Sequence, residues 1–184
     1  MDFANTFQEE QRQLVYAPRM GLVPTWLTEY PPSFNGRGAS IIDIGGGPVS
    51  LLLKTVNRGR SVVMDPGQYP DWTVMRYQDA GIEFWRQPGE ELDGYTFDEA
   101  WIYDTLNSVL DPERVIANAL SVAGIVRIFE WIEPYEEQLH VLTREVLDHW
   151  LGGAGFVANL DEDGCVGVSY YGVFRGSNVP SLPR

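Results

Sequence analysis

Cysteine is nearly absent. Cys165 is the only one in 184 residues, so neither an internal disulfide nor a multi-cysteine metal site can form, and no metal is expected. That usage suits a reducing, cytoplasmic setting. Basic residues are also scarce: 13 Lys plus Arg face 26 Asp plus Glu, a net charge of −13. Such a charge repels phosphate backbones and anionic lipid, which argues against a nucleic-acid partner. No apolar run approaches the ~20 residues that cross a bilayer, and Met1 to Gln13 is too polar and acidic for a secretory signal, so no membrane partner is expected. Internal repeats and low-complexity tracts are missing too.

What remains is a chain with 44% hydrophobic and 21% charged residues, enough to bury one real core. Residues Glu9 to Val15 have helical character. The Pro- and Gly-rich run from Tyr30 to Gly38 then sets an N-terminal arm (1–38) apart from a main domain (39–176) and a short tail (177–184). In the main domain short apolar runs alternate with helical stretches. Residues 40–44, 61–64, 81–85, 98–103 and 125–129 read as strands. Pro48 to Val56 reads as a helix with Pro48 in its first turn, and Asp111-Pro112 reads as an N-cap with Pro at the first helical position. Pro134 to Leu151 reads as a long helix with Leu139, Leu142, Val146 and Trp150 along one stripe. Phe156–Leu160 and Val166–Phe174, joined by a short acidic turn containing Gly164, form a β-hairpin. The sum is a mostly parallel α/β sheet closed by an antiparallel pair.

Chemistry concentrates at Asp43-Ile44-Gly45-Gly46-Gly47-Pro48. Glycines between strand and helix allow a sharp bend and close approach of backbone to a ligand, with helix N–H groups alongside. Asp65, with Pro66 beside it, ends the next strand about 20 residues after Gly45, a spacing that suits a carboxylate accepting from ribose hydroxyls. A dinucleotide fingerprint wants glycine at position 50, where this chain has Ser50, and Asp43 would sit badly beside a pyrophosphate. A carboxylate there favours a cationic sulfonium nucleoside instead, which points to S-adenosylmethionine.

The run Ile41–Pro48 followed by Val62-Val63-Met64-Asp65 resembles the first two motifs of class I SAM-dependent methyltransferases, and the terminal hairpin is similar to the reversed seventh strand of that fold. The resemblance spans Ser40 to Phe174. It implies a Rossmann-like, doubly wound, seven-stranded sheet with an antiparallel C-terminal hairpin, and S-adenosyl-L-methionine as cofactor. Val49 departs from it, standing where the family often has a third glycine. The family also implies that Gln87-Pro88-Gly89-Glu90, after the third strand, occupies the place near the adenine, with Gln87 and Pro88 as the contacts, and that the stretch from Tyr103 to Asn107 lines the transfer site. Asp43, Gly45, Gly46, Gly47, Asp65, Pro66, Gln87, Pro88 and Asp104 are thus the expected cofactor contacts. Tyr16 and Arg19 of the N-terminal arm are placed to fold over the cofactor.

Methyl transfer requires alignment more than a fixed set of catalytic groups. No residue is assigned a catalytic role; Asp104, His140 and Glu130 are the candidates, and His149 and Trp131 are weaker ones. The Asp-Pro-Pro-Tyr motif of amino-methylating DNA enzymes and the Pro-Cys of cytosine-C5 enzymes are absent. With the acidic charge, this favours a small-molecule acceptor. Two other readings stand beside this one: a non-catalytic SAM- or nucleoside-binding regulatory protein, and an NAD-dependent oxidoreductase. The oligomeric state is open, a homodimer among the options.

Overall fold

Seven segments rich in Val, Ile and aromatic residues line up as one sheet in the computed structural model, which describes residues 3–25, 32–134, 138–162 and 164–177. The elements run α1 (Phe3–Arg19), β1 (Pro24–Thr25), β2 (Ser33–Asn35), β3 (Ile41–Ile44), β4 (Thr55–Val56), β5 (Ser61–Met64), α2 (Asp71–Asp79), β6 (Glu83–Trp85) and β7 (Phe97–Tyr103). Then follow α3 (Pro112–Val122), β8 (Ala123–Trp131), α4 (Arg144–Leu151), β9 (Phe156–Glu162) and β10 (Cys165–Arg175).

The large sheet has the order β6-β5-β3-β7-β8-β10-β9. The first five of these strands are parallel, and β10 is antiparallel to both β8 and β9. Every residue of β3 and β5 is buried, as expected of strands covered on both faces. The chain winds outward from β3 in both directions, so the carboxyl ends of β3 and β7 flank a topological switch point, where open α/β sheets form their crevice.

Two apolar layers cover the sheet. On one face Ile42, Ile44, Val62 and Ile102 meet Val115, Ile116 and Ala119 of α3 and Leu147 and Leu151 of α4. The Asp111 carboxylate accepts from the Arg114 N–H and starts α3, with Pro112 at its first position. On the other face Tyr16, Ala17 and Met20 of the N-terminal segment join Leu51, Leu52, Tyr77, Trp101 and Phe129. Tyr16 stacks on Phe129 with ring centroids 4.2 Å apart, an arrangement contributing about 0.5–1.5 kcal/mol beyond burial. The N-terminal segment is therefore a structural layer of the sheet, and its helix is longer than the sequence pattern suggested. The tail from residue 178 lies outside the described residues.

Two expected helices are corrected. Pro48 to Val56 is not an α-helix: a 3-10 turn covers Leu51–Lys54 and the chain then enters β4. The Ser50 hydroxyl caps that turn through the Leu52 N–H, and the Thr55 hydroxyl donates back to the Leu51 carbonyl. Thr55 and Val56, both β-branched, pair with Phe34 and Asn35 in a second, three-stranded sheet of β1, β2 and β4. The long helix from Pro134 shrinks to α4. The Thr143 hydroxyl caps α4 by accepting from the Val146 N–H. Before it, the N–H groups of Leu139 and His140 both donate to the Asn107 carbonyl, which ties this segment to the loop after β7 instead of to a helix. Leu142 is buried but Leu139 is exposed, so the expected stripe is broken, and Leu147 and Leu151 form the buried face. Residues 135–137 lie outside the described set.

Candidate functional site

At the switch point a crevice of about 590 Å³ opens over the carboxyl ends of β3, β5 and β7. Its size is within the range of small-molecule sites. Ile44, Gly45 and Gly47 form one wall, Met64 to Gly67 with Tyr69 a second, Pro88 to Glu90 a third, and Asp104, Thr105 and Ser108 to Leu110 the fourth. Three carboxylates line it, those of Asp65, Glu90 and Asp104, and among the described residues no Lys, Arg or His joins them.

Asp65 is held at this edge by its own neighbours. Oδ1 accepts from the Gly67 N–H at 2.7 Å and the Tyr69 hydroxyl at 2.8 Å, and Oδ2 accepts from the Gly47 N–H at 3.1 Å. An ionised carboxylate offers about four lone-pair sites, so accepting capacity remains for a ligand hydroxyl. Glu90 works differently. Its Oε1 accepts from the N–H groups of Leu110 and Asp111 and holds the apolar wall closed at the start of α3.

The glycine loop is fastened from below. Asp43 is fully buried; Oδ2 accepts from the Tyr103 hydroxyl at 2.5 Å and from the Ser50 hydroxyl, and Oδ1 has no partner among the described residues. Burial pushes the Asp43 carboxyl up to about 7, against the lowering effect of those two hydroxyls. A side chain at Gly46 would place its Cβ 2.6 Å from that carboxylate, and one at Gly45, where φ is +76°, would meet Thr105 at 2.3 Å. Both glycines are demanded by these close approaches.

Four of the loop's N–H donors are already used. Gly45 N–H donates to the Met64 carbonyl, Gly47 to Asp65, Ser50 to the Tyr77 hydroxyl and Leu51 to the Tyr103 hydroxyl. At these positions the N–H groups expected to be free at a helix terminus are committed, and the helix itself is replaced by the capped 3-10 turn.

Asp104 follows β7 in a left-handed conformation with φ +49°, uncommon for a residue with a side chain. Its Oδ2 accepts from the Tyr16 hydroxyl at 3.3 Å. Burial holds this carboxyl above its usual range, with the Arg12 guanidinium and the Tyr16 hydroxyl acting the other way. Behind it, Glu130 is fully buried and accepts from the N–H groups of Thr105 and Leu106 at 3.1–3.2 Å. Burial, and then the Asp104 charge, push Glu130 up to about 8.

No protein-family model matches the chain, and no curated protein matches it in sequence. Solved structures do match in shape. A possible histamine N-methyltransferase from Thermotoga maritima aligns over 96% of both chains with a TM-score of 0.57 at 17% identity. Magnesium protoporphyrin IX methyltransferase from Synechocystis PCC 6803, solved with S-adenosylhomocysteine bound, aligns over 96% of this chain and 89% of its own, with a TM-score of 0.61 at 12% identity. An O-methyltransferase family protein from Burkholderia thailandensis aligns over 76% of this chain with a TM-score of 0.56 at 12% identity, and the chain spans only 52% of that protein. The fold is that of the class I methyltransferases.

Within this methyltransferase fold, the crevice gathers Gly45, Gly47, Asp65, Pro66, Pro88 and Asp104 of the expected contacts. Asp43, Gly46 and Gln87 are not among its lining residues: Asp43 lies under Gly46, and Gln87 is exposed. Glu130 braces the turn that carries Thr105. The His140 ring Nε2 lies 3.2 Å from the Leu110 carbonyl, on the outside of the crevice wall, and His149 is an exposed residue of α4. Sequence reasoning missed Tyr69, whose hydroxyl reaches Asp65 across a turn of four residues; Thr105, within the expected transfer-site stretch, has the Gly45 and Tyr103 carbonyls as acceptors for its hydroxyl. The only available signal for Tyr69 was its place shortly after Asp65-Pro66.

Proposed function

We propose that the chain is a SAM-dependent methyltransferase acting on a small-molecule acceptor. The observation that carries this reading is the electrostatic character of the crevice: three lining carboxylates, no lining cation among the described residues, and a glycine loop whose N–H groups at Gly45, Gly47, Ser50 and Leu51 are already committed within the protein. A pyrophosphate would meet repulsion there and lack the donors that are already committed within the loop, which argues against NAD. A nucleoside with a cationic sulfur and no phosphate fits both features. Among proteins of this shape, the Synechocystis enzyme carries S-adenosylhomocysteine in its structure and is named for a small-molecule acceptor.

When bound, SAM supplies an electrophilic methyl carbon on a positively charged sulfur. The chain's own residues do the rest. The carboxylate of Asp65 would hold the sugar hydroxyls with the accepting capacity that the Gly47, Gly67 and Tyr69 donors leave free. Met64, Pro88, Val109 and Leu110 would give the base an apolar slot, kept shut by Glu90. Asp104 stands at the far end, where its negative charge favours a cationic ligand group and repels an anionic one.

Titration calorimetry with SAM and S-adenosylhomocysteine, run beside NADH and ATP, tests the assignment. Micromolar-range binding of the first two and none of the phosphates is expected. Absence of heat and of thermal stabilisation with either sulfur nucleoside would refute it.

A further inference from the structure

Asp104 lines two cavities. Besides the crevice, it faces a second space of about 340 Å³ bounded by Arg12, Trp131, Gly164 and Val166. This space draws on α1, on the end of β8 and on the turn between β9 and β10, and the crevice shares none of its other lining residues. We propose that this second cavity is the acceptor subsite and takes a small zwitterion, an amine that also bears a carboxylate, with its nitrogen at Asp104 and its carboxylate at Arg12. The proposal rests on the reading of the crevice as the methyl-donor site and names the substrate class for it.

Three features carry it. First, the cavity shows one cation and one anion that are not joined by an ion pair. Among the described residues Arg12 pairs only with Glu9, one turn back on α1, at 4.0 Å, the outer limit of such contacts. Its guanidinium has five donors in a fork that matches a carboxylate. Asp104 accepts one long bond of 3.3 Å from Tyr16. Opposite charges held apart across a small cavity complement a molecule that carries both signs, and they penalise one that carries a single sign. Second, the wall between them is aromatic. Trp131 is fixed edge-on against Phe129, with centroids 5.3 Å apart, and its ring lies beside Gly167, where a Cβ would sit 3.4 Å from it. An indole edge or face suits the short carbon body of such a ligand and its cationic end. Third, the shared wall is Asp104 alone, so a nitrogen hydrogen-bonded to this carboxyl group stands at the junction of both spaces.

The chemistry balances. The ammonium gives one proton to the Asp104 carboxylate and becomes a free amine. Its lone pair then forms the N–C bond as the C–S bond of the sulfonium donor breaks, and the released pair leaves sulfur neutral. The positive charge ends on the methylated nitrogen, and Asp104 returns its proton to solvent.

The test uses the full-length protein saturated with S-adenosylhomocysteine, so that binding is read without turnover. Histidine and histamine, tryptophan and tryptamine, and glycine and methylamine are compared by calorimetry and thermal shift. At least one amino acid should bind about tenfold or more tighter than its amine, the scale of a charge-assisted contact. Arg12→Met should abolish that difference while leaving the affinity for S-adenosylhomocysteine unchanged, and Arg12→Lys should restore part of it. Binding of S-adenosylhomocysteine with no amino acid preferred over its amine, or with the preference intact in Arg12→Met, overturns the acceptor proposal alone. Failure to bind S-adenosylhomocysteine at all overturns the donor site and the acceptor proposal together, so the two failures are distinguishable.

Discussion

Replacing Asp43 by Asn should change how stability depends on pH. Burial lifts this carboxyl from its ordinary 3.8 to about 7, so the folded protein holds a proton that the unfolded chain has already released. A raised folded pKa means that its stabilising contribution is complete below pH 3.8 and drains away as pH rises towards about 7. The total withdrawn is about 4 kcal/mol, and more than half of it falls between about pH 5 and pH 8. Asn cannot ionise. Its carbonyl oxygen can accept from the Ser50 and Tyr103 hydroxyls as Oδ2 does, while its amide nitrogen occupies the unpartnered place of Oδ1. At about pH 5 the variant should be the less stable of the two, by about 1–3 kcal/mol for the unpartnered amide. By about pH 8 the gap should close or reverse. At about 2–4 °C per kcal/mol, the Tm of the variant relative to the wild type should rise by about 5–10 °C across that interval. Glu130 also titrates as a buried acid, but it is common to both proteins and cancels in the difference. Thermal unfolding followed by circular dichroism at several pH values is sufficient. Two curves running parallel from acid to mild alkali would show that Asp43 does not change its proton affinity on folding, and the account of the loop's foundation would be wrong.

Other changes report on the crevice itself. Asp65→Ala should weaken S-adenosylhomocysteine binding by about 1.5–3 kcal/mol, read by calorimetry, and unchanged affinity would remove the sugar assignment. Tyr69→Phe deletes only one of the three donors to that carboxylate, so its affinity loss should be smaller than that of Asp65→Ala; an equal loss would mean that the hydroxyl itself holds the ligand. Gly45→Ala combines a positive φ with a Cβ placed 2.3 Å from Thr105, and denaturant unfolding should show a loss of about 2 kcal/mol or more. A cost under about 0.5 kcal/mol would show that the loop is free to move away from Thr105.

Much of this architecture was legible before any coordinates. β3, β5, β7 and β8 are mostly apolar runs that stop at Gly, Asp or Trp, and the hairpin announces itself through its acidic turn. The glycine run and Asp65 could be placed at one edge because parallel strands end together on one side of a sheet. The failures have local causes. Leu51 and Leu52 suit a helix, but Tyr77 and Tyr103, distant in sequence, take the N–H groups of Ser50 and Leu51, and the β-branched pair behind them prefers a strand. The stripe through Leu139 failed because Asn107, more than thirty residues earlier, claims the backbone donors of that segment. In each case a long-range hydrogen bond overrode a short-range pattern, and no periodicity records such a bond. The same holds for Asp43: its position in the motif was readable, while its role beneath the loop depends on hydroxyls brought in by other parts of the chain.

The place of α1 ties distant parts of the sequence together. It precedes every described strand, and its contacts include Phe129 on β8, Glu162 on β9 and Tyr171 on β10. Until the terminal hairpin emerges, Tyr16 and Met20 have only part of their eventual surroundings. The seat of this helix is therefore complete only once the terminal hairpin has formed, so one of the chain's most sequence-distant sets of contacts closes the second apolar layer.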